Sequence, residues 1–180
     1  ACENDNLDSY FLFMGLELGS TELADIQKKL GETHTHKEGD AAYSYTAICY
    51  RVPEQNVSVY FESGEMGGGK RLLSYRVVAE DTSDFLAGET DNEIVHNYNI
   101  GALAIGSDVK ETIKSLPKGY ESGDGDAFYY RKKIPFTAEE VTRLKVKNME
   151  YAYWDQSVTI QVFSSGNKVS GFRVTKIISW

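Results

Sequence analysis

The sequence is poor in cysteine, in long apolar runs and in basic residues, and each shortage excludes a class of protein. Two cysteines in 180 residues do not make a disulfide-bonded scaffold. The apolar run from Tyr10 to Leu16 is far shorter than the ~18 residues of a membrane-spanning helix. Basic residues number 19 against 27 acidic ones, and the net charge of −8 argues against binding to a nucleic-acid backbone.

The residues that are plentiful indicate a folded protein. Hydrophobic residues make up 41% of the chain, with 12 tyrosines and 8 phenylalanines. Long disordered segments have few aromatic residues and low hydrophobicity, so this composition excludes them. The length fits one domain or two small ones.

Short patterns recur in the same order in the two halves of the chain. The pairs are LELGS (16–20) with LAIGS (103–107), GDAAYSY (39–45) with GDAFYYR (125–131), and VYFESGE (59–65) with QVFSSGN (161–167). Ordered recurrence of this kind indicates an internal repeat.

Each half also carries one segment with helical spacing. Leu23, Ile26 and Leu30 fall on one helix face, with Ser20 or Thr21 as the N-cap and Gly31 at the end. In the second half the same pattern is formed by Val109, Ile113 and Leu116, with Ser107 or Asp108 as the cap and Pro117 and Gly119 at the end.

These patterns predict an α+β fold of two tandem repeats, each a helical segment followed by a three- to four-stranded antiparallel sheet. We divide the chain into a flexible N-terminal tether (1–9), repeat 1 (10–90) and repeat 2 (91–180). Repeat 2 has an insertion near 137–153. Thr137 and Glu140 have capping-box spacing, so the insertion is either a helix or an extended hairpin.

The stretch SGEMGGGKR (63–71) matches part of a phosphate-binding loop. Such a loop needs a following helix, whose N-terminus holds the phosphate. The following residues, RLLSYRVVAE (71–80), are typical of a strand, and Arg71 stands where the Mg²⁺-binding Ser or Thr would be. We therefore predict a β-hairpin loop and no nucleotide site.

Metal and nucleophile chemistry is only weakly indicated. In an extended chain His34 and His36 would share one side, which suits zinc, but loop histidines are more often solvated. Asp124 and Asp126 lack the further ligands of a calcium loop. Cys49 lies in a predicted strand, where an inert buried thiol is expected. We predict no metal, no cofactor and no enzymatic activity.

Aromatic residues in predicted strands indicate a protein-binding surface. Alternation places rings on both sheet faces, and exposed Tyr and Trp beside Arg are typical of binding hot spots. Alternatively, the tyrosines only line the rim of the sheet. The predicted binding residues are Tyr43, Tyr45, Tyr60, Glu62, Glu65, Met66, Lys70, Tyr129, Arg131, Tyr153 and Trp154. Among them, Glu65 and Met66 form the tip of the loop from Glu62 to Lys70.

Ala1-Cys2 followed by a polar stretch resembles the cleavage point of a bacterial lipoprotein precursor. This pattern predicts lipidation of Cys2, and hence a periplasmic or outer-membrane-anchored protein that meets the membrane only through that lipid. The alternative is an ordinary cysteine that is either free or paired with Cys49.

The helix-entry patterns carry a resemblance to a known architecture. They are Gly19, Ser20, Leu23, Leu30 and Gly31 in the first half, and Gly106, Ser107, Val109 and Leu116 in the second. In outline the chain resembles the tandem-repeat β-lactamase inhibitory protein family and the single-unit fold of small barrel-assembly outer-membrane lipoproteins. The resemblance implies a concave sheet with projecting loops that bind another protein. The family's disulfide in each repeat is absent here, since the second half has no cysteine, and no binding residue is transferred.

Together these observations predict a bacterial envelope lipoprotein that binds another protein, as an inhibitor or immunity protein against a hydrolase or toxin. One alternative is an envelope-assembly scaffold. Another is a small-ligand binder or enzyme with its site in a groove between the two predicted sheets.

Overall fold

The computed structural model describes residues 6–40, 43–52, 54–80 and 97–180. Three helices lie in these ranges: α1 (Leu23–Leu30), α2 (Val109–Lys114) and α3 (Ala138–Arg143). The ten strands are β1 (Leu12–Phe13), β2 (Leu16–Glu17), β3 (Thr35–Gly39), β4 (Ser44–Val52), β5 (Val57–Gly64), β6 (Ser74–Ala79), β7 (Glu121–Ser122), β8 (Ala127–Pro135), β9 (Tyr153–Ser165) and β10 (Lys168–Ser179).

Eight strands form one continuous antiparallel sheet in the order β3-β4-β5-β6-β10-β9-β8-β7, and β1 and β2 form a small separate hairpin. The antiparallel pairing agrees with the sequence. The prediction of two tandem helix-then-sheet repeats is wrong, because β6 pairs with β10 through the middle of the sheet, with Val77 opposite Phe172. Pairing satisfies the backbone groups that two separate sheets would leave at their edges. The helices are short, at eight, six and six residues.

One face of the sheet, the core face, is built by strict alternation of apolar residues. A row of directly opposed, buried side chains crosses six strands, consisting of Ile48, Phe61, Tyr75, Val174, Ile160 and Phe128. Leu23 and Ile26 of α1 belong to the same apolar cluster, and the Phe13 ring stacks on Tyr75 at 4.1 Å between centroids. The opposite face is called the open face below.

The helix predictions are largely confirmed in position. α1 ends at Gly31, whose φ is 104°, but its N-cap is Glu22. Thr21 instead accepts a hydrogen bond from the Glu17 N–H. Of the two caps predicted for α2, Asp108 is the correct one, and its carboxylate accepts from the Glu111 N–H at 3.0 Å. The sequence therefore predicted the N-cap correctly at the second helix and incorrectly at the first.

The segment near 137–153 contains a helix, so the hairpin alternative is wrong. Thr137 and Glu140 make the reciprocal bonds of a capping box at the start of α3. A 3-10 turn, Met149–Tyr151, then leads into β9. The predicted boundary at residue 90 falls outside the described residues. Within the described ranges, no helix has the length and hydropathy needed to cross a membrane.

Candidate functional site

A buried carboxylate lies in the middle of the open face. Glu62 points away from the core, because Phe61 and Ser63 of β5 occupy the core face, yet it is only 2% exposed. Register brings Ser74 directly opposite Glu62 and places Arg76 and Arg173 opposite each other one row away. A charged group is rarely this buried unless it is paired.

The partners of Glu62 account for its burial. Arg173 Nη2 donates to Glu62 Oε2 at 3.0 Å, and Ser74 Oγ donates to Oε1 at 3.3 Å. Tyr45 donates its phenolic proton to Oε2, and Arg76 Nε lies 3.8 Å from the same oxygen. Burial, with the Glu62 charge as the second cause, raises the pKa of Tyr45. The phenol therefore stays a donor at any physiological pH.

Arg173 is held in one orientation. Its Nε donates to Ser74 Oγ at 3.2 Å while Nη2 bonds Glu62, and Ser74 Oγ is 3.0 Å from Thr175 Oγ1. The side chain nevertheless keeps about a third of its surface exposed (33%). A guanidinium fixed on one side can offer its remaining N–H groups to an acceptor with little further loss of entropy.

The loop between β5 and β6 forms a rim beside this network. Glu65–Gly67 make a 3-10 turn, and Gly68 follows with φ 61°. Gly68 N donates to Glu65 O at 3.0 Å, Gly69 N to Gly64 O at 3.1 Å, and Lys70 N to Gly67 O at 3.1 Å. These N–H groups are used inside the loop, and strand β6 follows it. Strands β5 and β6 pair antiparallel on either side of it, so the predicted β-hairpin loop is confirmed.

The loop and the network enclose a groove of about 240 Å³, which we call the Glu62 groove. Its walls and floor are formed by Tyr43, Ser44, Tyr45, Glu62, Ser63, Gly64, Glu65, Met66, Leu73, Ser74, Arg173, Thr175 and Ile177. Five predicted binding residues therefore meet here: Tyr43, Tyr45, Glu62, Glu65 and Met66. Tyr43 and Met66 are each 54% exposed, so large apolar groups border a polar floor.

The other predicted residues lie elsewhere. Lys70 lines a neighbouring depression with Lys37 and Asp40. Tyr129 and Arg131 lie on β8, four strands from Glu62, which is ~19 Å at normal strand spacing. Tyr153 is covered by Lys133, whose Nζ is 4.3 Å from the ring centroid.

Two predicted residues are not on the accessible open face. Tyr60 is fully buried, with the Arg76 guanidinium 4.0 Å above its ring. Trp154 pairs with Ile134 in the row that continues the core face. Strand alternation gave the correct side for Tyr60, but it carries no information about what covers that side.

Sequence reasoning missed the second half of the groove. Arg173, Thr175 and Ile177 come from β10 and line the groove opposite β5. Their alternation along RVTKI (173–177) was a usable signal for one shared face. Their meeting with Glu62 required the β6–β10 pairing, which no local pattern reveals.

The described residues provide no metal-binding geometry. No group of three His, Cys, Asp or Glu side chains there is arranged to hold an ion. His36 Nε2 lies 3.1 Å from Glu38 Oε1. Cys49 is buried, as expected. Cys2 and His96 fall outside the described residues, so lipidation of Cys2 stays a prediction.

No protein-family model, curated protein or solved structure matches the chain. The resemblance to the inhibitory protein family therefore stays a prediction, and the geometry of the site is the basis for assigning a function.

Proposed function

We propose that the protein is a binding module for another protein, and that the Glu62 groove with its rim loop is the contact site. The observation that carries this proposal is the convergence of exposed apolar groups, Tyr43 and Met66, around a fixed and partly exposed Arg173. Aromatic residues, Met and Arg are enriched at protein interfaces, where buried anchors contribute most of the affinity.

The size of the groove favours a side chain as its occupant. Small-molecule sites usually enclose about 300–1,000 Å³, whereas this groove encloses about 240 Å³. A partner side chain with an apolar stem would pack on Tyr43, Met66 and Ile177, and a polar tip would meet the floor. A small ligand or a substrate in this groove is the second candidate, and we propose no catalytic role.

We also propose a class of partner and a cellular location for the protein. A hydrolase or toxin inhibited by the module is our first choice of partner, and a resident envelope-assembly complex is the alternative. A periplasmic or outer-membrane position through a lipid on Cys2 belongs to the same proposal. Labelling cells with an alkyne fatty acid, with Cys2→Ser as the control, tests the anchor separately.

The binding test compares variants in one capture experiment. The chain with Cys2→Ser is used as bait against envelope and secreted fractions of the source organism. Captured proteins are quantified by mass spectrometry, and each candidate is then purified and titrated by calorimetry. We expect the affinity for a true partner to fall at least tenfold in the double variant Glu65→Ala with Met66→Ala. We expect the same for the single variant Tyr43→Ser.

The matched control is Tyr129→Ser, because Tyr129 is an exposed tyrosine on the same face but lies on β8. We expect this variant to bind as tightly as the parent chain. Equal affinity for all variants would remove the Glu62 groove from the interface. A purified hydrolase that binds and loses activity supports inhibition, and a resident assembly protein supports the scaffold alternative.

A further inference from the structure

The core face carries a second groove that the Glu62 groove does not explain. Its volume is about 400 Å³, and it is lined by Gly19, Met66, Arg71, Leu73, Ile134, Trp154, Lys176 and Ile178. We call it the Trp154 groove. Ile134 and Trp154 are directly opposed on β8 and β9, and Ile178 of β10 lies one row nearer the sheet centre, opposite Gln156. These three apolar side chains are more exposed to solvent than the buried side chains in the central rows of the core face.

The sheet itself explains why this groove is open. Strand β6 begins only at Ser74, and the last bond from that side is Lys176 N to Leu73 O at 2.9 Å. Beyond it, β10 from Ile177 to Ser179 pairs with β9 alone among the described strands. The rim loop turns away here and places Met66 across the gap.

Exposed apolar surface continues from the groove to the end of the sheet. The Phe136 ring lies between Trp154 at 4.9 Å and Trp180 at 5.5 Å, measured between centroids. Trp180 Nε1 donates to Tyr151 O at 3.1 Å. Met149, Tyr151, Ile178 and Trp180 are 66%, 58%, 42% and 61% exposed. A contiguous patch of this kind marks an interaction surface more often than isolated exposed residues do.

The charged side chains that line the groove have one sign. Arg71 and Lys176 line it, and no acidic residue does so among the described residues. The adjoining segment 131–150 holds six basic and three acidic residues in a chain of net charge −8, and two of the basic residues, Arg131 and Lys133, lie on the open face. Glu22 is the β-bridge partner of Arg71, and the acid that contacts Trp154 is Glu140. It is already engaged by the Thr137 N–H at 2.9 Å and by the Trp154 indole N–H at 2.6 Å.

We propose that the Trp154 groove binds an acidic polypeptide segment that inserts one large apolar residue. The apolar anchor would pack against Ile134, Trp154 and Ile178, and flanking carboxylates would meet Arg71 and Lys176. A peptide fits this shape better than a membrane does, because a lipid surface is flat and cannot follow a concavity bordered by the rim loop. The site is independent of the Glu62 groove except for the shared Met66 and Leu73.

The chain's only two tryptophans lie at this site, which provides the assay. The Trp180→Phe variant keeps an aromatic ring there and leaves Trp154 as the sole reporter of fluorescence. The probe is a capped hexapeptide with a central Leu-Phe pair and two glutamates on each side. We expect a saturable change in Trp154 emission, weakened at least tenfold by Arg71→Glu with Lys176→Glu and weakened by added salt.

Four controls make the result decisive. A peptide with lysines in place of the glutamates is expected not to bind, and Arg131→Glu, an exposed basic residue on the open face, is expected to leave binding unchanged. Far-UV circular dichroism confirms that the variants are folded, and Tyr43→Ser tests independence from the Glu62 groove. The proposal is overturned if the acidic peptide gives no saturable change or if the lysine peptide binds equally well. It is also overturned if only vesicles of phosphatidylglycerol and phosphatidylcholine shift the emission.

Discussion

The hydrogen bonds and ion pairs around Glu62 connect β4, β5 and β6 in the first half of the chain with β10 in the second half. We expect Glu62→Gln to destabilise the protein, although the new side chain has the same shape. The amide NH₂ would face either the Arg173 and Tyr45 donors at the Oε2 position or the Ser74 donor at the Oε1 position, all of which currently donate to Glu62. It would also leave the two nearby guanidinium groups without an opposing charge.

The size of the effect follows from how much water reaches the partners. Removing one member of a fully buried ion pair costs about 3–5 kcal/mol. Glu62 is buried, but the Arg173 and Arg76 side chains keep 33% and 25% exposure, so solvent relieves part of the penalty. We therefore expect a loss of about 2–4 kcal/mol, which moves the urea midpoint down by about 1–2 M.

Urea unfolding followed by circular dichroism measures this loss. Glu65→Gln is the matched control, since Glu65 is an exposed glutamate three positions along the chain, and we expect its effect to stay within about 0.5 kcal/mol. Combining Glu62→Gln with Arg173→Met is expected to cost less than the sum of the two, by about 1–3 kcal/mol. If Glu62→Gln and Glu65→Gln unfold at the same midpoint, the network does not stabilise the fold.

Three further predictions concern the core. Gly101 has φ 53°, and a Cβ there would lie 2.4 Å from Tyr10 Oη, so Gly101→Ala should lose about 2–4 kcal/mol in urea unfolding. Its matched control is Gly119→Ala, with φ 89° and nothing within 4 Å, which should lose only about 1 kcal/mol. Phe13→Ala should cost about 3–5 kcal/mol, and an unchanged thermal midpoint would contradict the packing described. Burial raises the pKa of Tyr50 to about 12. Because the folded state favours the neutral phenol, stability should hold up to about pH 10 and fall toward pH 12, whereas tyrosinate absorbance rising fully near pH 10 without unfolding would refute this.

Local chemistry made parts of the fold predictable from the sequence. Asp108 and Thr137 cap helices as their spacing indicated, since a cap involves residues only three apart. The choice of a hairpin over a phosphate loop was also local, because it depended on the strand character of the residues after Arg71. In each case the deciding interaction lies within one turn or one strand.

Long-range pairing made the rest unpredictable. The recurring patterns described each half correctly as strand-rich, but nothing local specified that Val77 would lie beside Phe172. The same pairing assembles Glu62 with Arg173, 111 positions away. Tyr60 was misjudged because alternation assigns a face and not its exposure. A site built across non-consecutive strands cannot be derived from either strand alone.

The central pairing of β6 with β10 also has a kinetic consequence. The partners Val77 and Phe172 are separated by about 95 positions, so the chain must close a very long loop before the sheet becomes continuous. Loop closure opposes such contacts until late in folding, and topologies dominated by distant pairings fold in milliseconds to seconds. During synthesis or refolding, each half would therefore expose one strand edge, at β6 or at β10, that is paired in the complete sheet. The interval before those edges meet is when the chain is most open to pairing with another molecule instead of with itself.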